Sequence, residues 1–277
     1  MAESDAESEA IYEIAINVAN LQARAFAKLQ RSLDILRFAR ASARSAKAAD
    51  YESSADFFNV EPAQNMKMSF DAAREAAEEW FTLNVVRDAI DIIGDLLDES
   101  RFTLSLLRLT QHPNPTGVEF NQAKAERKVF HELGLPKKLD ELSAKFGVTS
   151  DTAEHFLSVN RARNCLVHRL GIVSAKDVGG AETLVVTWLA PKIEVSTTEG
   201  EVSPITKETI VPPGSRVSLQ LGVVSRTFAL GERIAFTYTE LIQQQYSLMM
   251  FINSLVSSIE EFAKGVGFVF EDPDAAT

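Results

Sequence analysis

Two long stretches carry apolar side chains at helical spacing: residues 9–48 at every third or fourth position, and residues 69–109 over a broad apolar face. In the first these are Ile11, Ile14, Val18, Leu21, Ala25, Leu29, Leu33 and Leu36. In the second they are Phe70, Ala77, Trp80, Phe81, Ile90, Ile93, Leu97, Leu104 and Leu107. Such spacing keeps one face apolar only when the chain turns every 3.6 residues, so both stretches predict long amphipathic helices. Ser69 is suited to cap the second, and Gly94 is a weak point inside it. A chain with two such helices must bury their faces against further helices, which predicts a mainly α bundle.

The remainder of the chain agrees with that class until Gly171. Residues 51–68 read as a connection broken by Asn59, Pro62 and Asn65. Two prolines and a glycine make 111–117 a loop. Shorter helices are expected at 119–133 and 136–146, separated by Gly134 and Pro136. Asp151 with Glu154 resembles a capping pair that opens a helix over 151–169, ended by Gly171. The pattern then changes. Runs rich in Val, Thr and Ile at 182–196, 208–211 and 215–229 predict strands joined by Gly and Pro turns. Thr237 and Glu240 form a capping box that opens a last long helix to about Lys264. The expected organisation is an acidic tail at 1–8, a first helical region at 9–50 extending the bundle, and a helical domain at 69–264. A β insertion at 182–236 interrupts that domain, and a second acidic tail follows at 271–277.

Charge and composition narrow the function. The 277 residues hold 28 Lys and Arg against 39 Asp and Glu, a formal net charge of −11. Seven of those negative charges sit in residues 1–10 and 271–277, so the body is only mildly acidic and no bulk positive field coats nucleic acid. Bases of the first helix fall on two sides, Arg24, Lys28 and Arg31 on one and Arg37, Arg40, Arg44 and Lys47 on the other, which predicts solvated faces. A single cysteine, Cys165, excludes a disulfide scaffold and fits a reducing compartment. The N-terminus lacks the basic start and apolar run of a signal peptide, and the uncharged run Leu241–Ile259 is broken by glutamines, serines and an asparagine. A cytoplasmic protein without membrane contact is expected.

Several site types are absent: the P-loop, the G-x-G-x-x-G turn, H-E-x-x-H and G-x-S-x-G. None of the four histidines, His112, His131, His155 and His168, lies three or four residues from another, so no helix carries a two-histidine metal site. No cofactor or metal is expected. Cys165 and His168 are three apart but lack further partners, which predicts a small buried thiol. His112 is expected in solvent, His131 and His155 at helix edges or hydrogen-bonded within the bundle. Trp188, Met249 and Met250 are expected in the core.

One constellation remains: Asn160-Arg161-Ala162-Arg163-Asn164-Cys165-Leu166-Val167-His168-Arg169-Leu170-Gly171-Ile172-Val173. Arg163-Asn164-x-x-x-His168 with the exit Arg-Leu-Gly-Ile-Val resembles the signature of the HEPN superfamily: an Arg, a polar residue and a His near the end of a helix in a small α-helical bundle. The likeness is close over this motif and loose over the element order from Ser69 to Lys264. The helix at 9–48 lies outside it.

That resemblance implies a metal-independent endoribonuclease working as a homodimer, in toxin–antitoxin or anti-phage defence. RNA would be the substrate, and an antitoxin or regulatory protein a further partner. His168 would move a proton at the ribose 2′-hydroxyl or the leaving oxygen, Arg163 would hold the phosphate, and Asn164 would orient the imidazole. Arg161 and Arg169 would add positive charge for substrate. On a helix Asn164, His168 and Arg161 share a face, whereas Arg163 stands ~140° from His168. Arg163 is favoured because Asn164 follows it directly, and Arg161 stays open as the rival. The alternative within the same resemblance is a non-catalytic interaction or nucleotide/RNA-binding module.

Overall fold

The computed structural model describes residues 16–53, 68–112, 116–198, 200, 202–205 and 209–268. It is mainly helical, 64% helix, with one small antiparallel sheet. Chain order among the described residues is α1 (Val18–Ser45), α2 (Ala48–Ser53), α3 (Phe70–Leu109), α4 (Gly117–His131), α5 (Leu135–Phe146), α6 (Ala153–His168), α7 (Ala175–Val178), β1 (Thr183–Ser196), β2 (Val202–Pro204), β3 (Arg216–Ala229) and α8 (Tyr238–Gly265).

Local chemistry sets most helix ends. Ser69 Oγ accepts from the Ala72 amide, so α3 begins where the sequence predicts. Thr116 and Glu119 form a capping box on α4, and Thr237 and Glu240 form one on α8. The expected helix at 9–48 differs in two ways. Its first residues lie outside the described ones, as do both acidic tails. Its C-terminal end breaks after Ser45, whose hydroxyl turns back to the Ser42 carbonyl, and α2 restarts at Ala48 and runs on to Ser53, into the expected connection. Asp151 does not open α6 with Glu154. Its carboxylate accepts from Ser254 Oγ at 2.6 Å, and the helix starts two residues later, at Ala153.

By contact density the chain divides into two compact units. The first comprises residues 1–27, 91–153 and 249–277. Its core is aliphatic: Ile93, Leu97, Leu104, Leu107, Leu142, Ile252, Leu255 and Ile259 are all fully buried. Phe146 and Phe262 meet edge to face at 5.6 Å. Buried Arg101 donates to Glu126, Glu141 and Ser105 and lies over the Phe146 ring, which supplies the partners a desolvated guanidinium requires.

The second unit comprises residues 28–90 and 154–248 and contains the sheet, in the order β2-β1-β3. β1 and β3 pair over their whole length, with Thr183 opposite Ala229 and Ser196 opposite Arg216. Leu184, Val186, Trp188 and Ala190 alternate into the core, where Trp188 and Phe228 both meet Phe236 edge to face. Trp188 is therefore core, as expected. β2, Val202–Pro204, pairs only with Glu194, Val195 and Ser196. The strand expected at 208–211 is not there: Thr209, Ile210 and Val211 are irregular, and Glu208 lies outside the described residues. Pro212 and Pro213 follow directly, and prolines disrupt a ladder. Along β1 the amides of Thr187 and Leu189 donate to Ser158 of α6 and Ser247 of α8, hydroxyls that take the place of a neighbouring strand.

Candidate functional site

Helix α6 is the element that carries the motif, and its burial divides it cleanly. His155, Phe156, Ser158, Val159, Asn160, Ala162, Cys165 and Leu166 are buried. One side is fixed to β1: Ser158 Oγ donates to the Val185 carbonyl and accepts from the Thr187 amide, and His155 Nδ1 is 3.3 Å from Thr187 Oγ1. His155 is thus held within the core rather than at an edge. Among the residues left outward, Glu154, Leu157, Arg161, Asn164 and His168 form a stripe at helical spacing, of which Glu154, Arg161 and His168 are exposed, while Ala153, Arg163 and Val167 are half-buried beside it.

Three of the sequence-derived site residues therefore share one open face. The imidazole of His168, in the last turn, forms no hydrogen bond or ion pair among the described residues. Arg161 reaches back to Ser158 Oγ at 3.3 Å. Arg163 is half-buried off the stripe, yet its Nη1 donates to Asn164 Oδ1 at 3.3 Å, which turns the guanidinium toward the stripe. The pair Arg163–Asn164 acts as one polar unit, with His168 one turn further on.

Arg169 has a different place from the one expected. Its guanidinium closes as a fork on Asp177, with Nε 2.7 Å from Oδ2 and Nη2 on Oδ1. Asp177 is itself the third residue of α7 and accepts from the Ser174 amide and hydroxyl. Burial pushes the Asp177 carboxyl up, but the Arg169 fork and the Ser174 bonds outweigh it and hold the group at about 2. Arg169 is a clasp on the helix exit, not an open phosphate ligand. Asp177 is the residue the motif reading missed, because its link to Arg169 spans a helix end and a turn.

The exit itself is tightly specified. Leu170 has φ +54° and Gly171 φ +75°. A Cβ on Gly171 would reach Leu166 Cδ2 at 3.4 Å, a contact distance, so it is the left-handed backbone that favours glycine there. The Ile234 amide donates to Gly171 O, and Val173 exchanges backbone bonds with Glu232 and Gly231. These bonds fix where α6 stops and hence where His168 stands.

Cys165 faces the other way and is fully buried. Burial, reinforced by the charge of Asp177, pushes its thiol up to about 11, so it stays protonated and inert at neutral pH. Among the described residues no group of three His, Cys, Asp or Glu side chains is placed to hold a metal ion, and no helix is long and apolar enough to cross a membrane. The chain matches no family model, no curated protein and no solved structure.

Proposed function

We propose that the chain is a HEPN-like, metal-independent endoribonuclease that acts as a homodimer. The observation that carries this reading is the outward stripe of α6, on which Arg161, Asn164 and His168 stand together beside the Arg163–Asn164 pair. An exposed imidazole without a partner is available for proton transfer, and an arginine beside it can hold a phosphodiester. The order of helices with strands between α6 and α8 supports the same resemblance.

In this mechanism the 2′-oxygen of a ribose attacks the adjacent phosphorus as the bond from phosphorus to the 5′-oxygen breaks. One His168 takes the 2′-hydroxyl proton. The leaving 5′-oxygen takes a proton from the second His168 of a dimer. Arg163 offsets charge on the equatorial oxygens, and Asn164 links it to the face that carries the imidazole. Products are a 2′,3′-cyclic phosphate and a 5′-hydroxyl, and DNA is spared for lack of the attacking group.

The test is cleavage of a mixed RNA in excess chelator, with end-group analysis. His168→Ala should lower the rate about 10²- to 10⁴-fold, as loss of a general acid or base does. Arg163→Ala should do likewise, with Arg161→Ala less affected. Equal cleavage by wild type and His168→Ala abandons the proposal. A second reading, a non-catalytic RNA-binding module, draws on the half-burial of Arg163. It requires no cleavage, and weaker RNA binding in the same variants.

A further inference from the structure

The first compact unit contains an open cleft of about 450 Å³ between α3 and α4. Its α3 wall presents Asp95, Asp98 and Glu99, and its α4 wall Lys124, Arg127, Lys128 and His131. The formal charges nearly balance, but the acids are already committed. Asp98 is buried and binds two partners, Nζ of buried Lys138 and Nδ1 of His131, the latter at 2.6 Å. Glu99 is paired with Arg24 at 3.1 Å, and Asp95 is engaged as well. The bases are not. Lys124 and Arg127 rest over the rings of Phe120 and Phe102, and neither they nor Lys128 forms an ion pair among the described residues.

His131 completes the arrangement. Its ring is two-thirds exposed, yet its orientation is set by a carboxylate that is itself buried and neutralised by Lys138. The Asp98 bond occupies Nδ1, so Nε2 is the nitrogen available to a ligand. Lys124, Lys128 and His131 recur at helical spacing on α4, with Arg127 beside them. Three cations and one oriented imidazole line a concavity whose carboxylates are spent.

We propose that this cleft binds a phosphate group, held by Arg127, Lys128 and Nε2 of His131. A phosphate carries up to two negative charges on tetrahedrally spread oxygens and can meet each of the three donors with a separate oxygen, whereas a carboxylate offers one charge and two coplanar oxygens. The proposal is independent of the ribonuclease reading, whose residues lie on α6.

The test follows the histidine ring signals of the full chain by NMR, at fixed pH and ionic strength. Inorganic phosphate, ribose 5-phosphate and acetate are titrated separately. The His131 signals, assigned by their loss in His131→Gln, should move saturably with both phosphates and not with acetate. Tighter binding of ribose 5-phosphate assigns a phosphate ester, and equal binding assigns the free anion. Arg127→Ala and Lys128→Ala should each weaken the response about ten-fold, while Lys176→Ala, exposed on α7, should leave it unchanged. The proposal is overturned by the absence of saturable movement at His131, by an equal response to acetate, or by an undiminished response in Arg127→Ala/Lys128→Ala. Movement at His168 alone also overturns it, while leaving the ribonuclease reading intact.

Discussion

Gly94 sits in the interior of α3, where glycine costs a helix about 1 kcal/mol relative to alanine. A Cβ added there would meet only Leu135 Cδ2, at an ordinary contact distance of 3.8 Å. Gly94→Ala should therefore raise stability by about 0.5–1 kcal/mol, read as a higher denaturant midpoint with unchanged slope. A lower midpoint would show that α3 must bend at that point. Gly171 is the opposite case at the same scale, since its left-handed φ strains any residue with a side chain even though the space around it would admit a Cβ. His168 and Asn164 were legible as a pair because four residues bring side chains onto one helix face. The geometry that relates Arg163 to that face was not, since it depends on where a long side chain is drawn by its bond to Asn164.

At the level of elements, the exit of α6 is secured by one ion pair to α7. Asp177 is held at about 2 against an ordinary value of 3.8. A folded value below the unfolded one means that the carboxylate stabilises the fold fully above the ordinary value. The contribution is lost as pH falls toward the folded value. It amounts to about 2 kcal/mol for a carboxylate this deeply buried. Asp177→Asn should lower stability at neutral pH by that order and flatten the acid limb between the two values, as followed by circular dichroism. An acid limb identical to wild type would show that the pair contributes nothing. Helix ends set by neighbours in sequence, such as Ser69 on α3 and Thr237 on α8, could be read in advance. The start of α6 could not, because Asp151 is drawn to Ser254, 103 residues away. Likewise Ile210 and Val211 have strand-forming side chains but no partner strand among the described residues, whereas Val202–Pro204 finds one at the end of β1.

For the molecule as a whole, the ribonuclease proposal requires two copies. Large apolar side chains stand exposed in the second compact unit, among them Ile35, Phe38 and Trp80, with Phe38 76% accessible. Such side chains are what association removes from water. Light scattering at micromolar concentration should give twice the 30.5 kDa chain mass. A mass equal to one chain would remove the second His168 from the mechanism.

What the sequence determined by itself is what neighbours along the chain can enforce. Apolar periodicity, caps and turn residues specified the helical class, the placement of the sheet before the last helix, and the helix face shared by Arg161, Asn164 and His168. These follow from backbone geometry repeated every few residues. Tertiary structure decided which of the charged groups are spent. Arg169 is closed on Asp177, Asp98 is shared between His131 and Lys138, and Arg101 is buried among carboxylates. Two of these three arrangements join residues more than twenty positions apart. A charge's availability depends on the distance to its partner in space and on the water removed from around it, and neither quantity is written in local sequence.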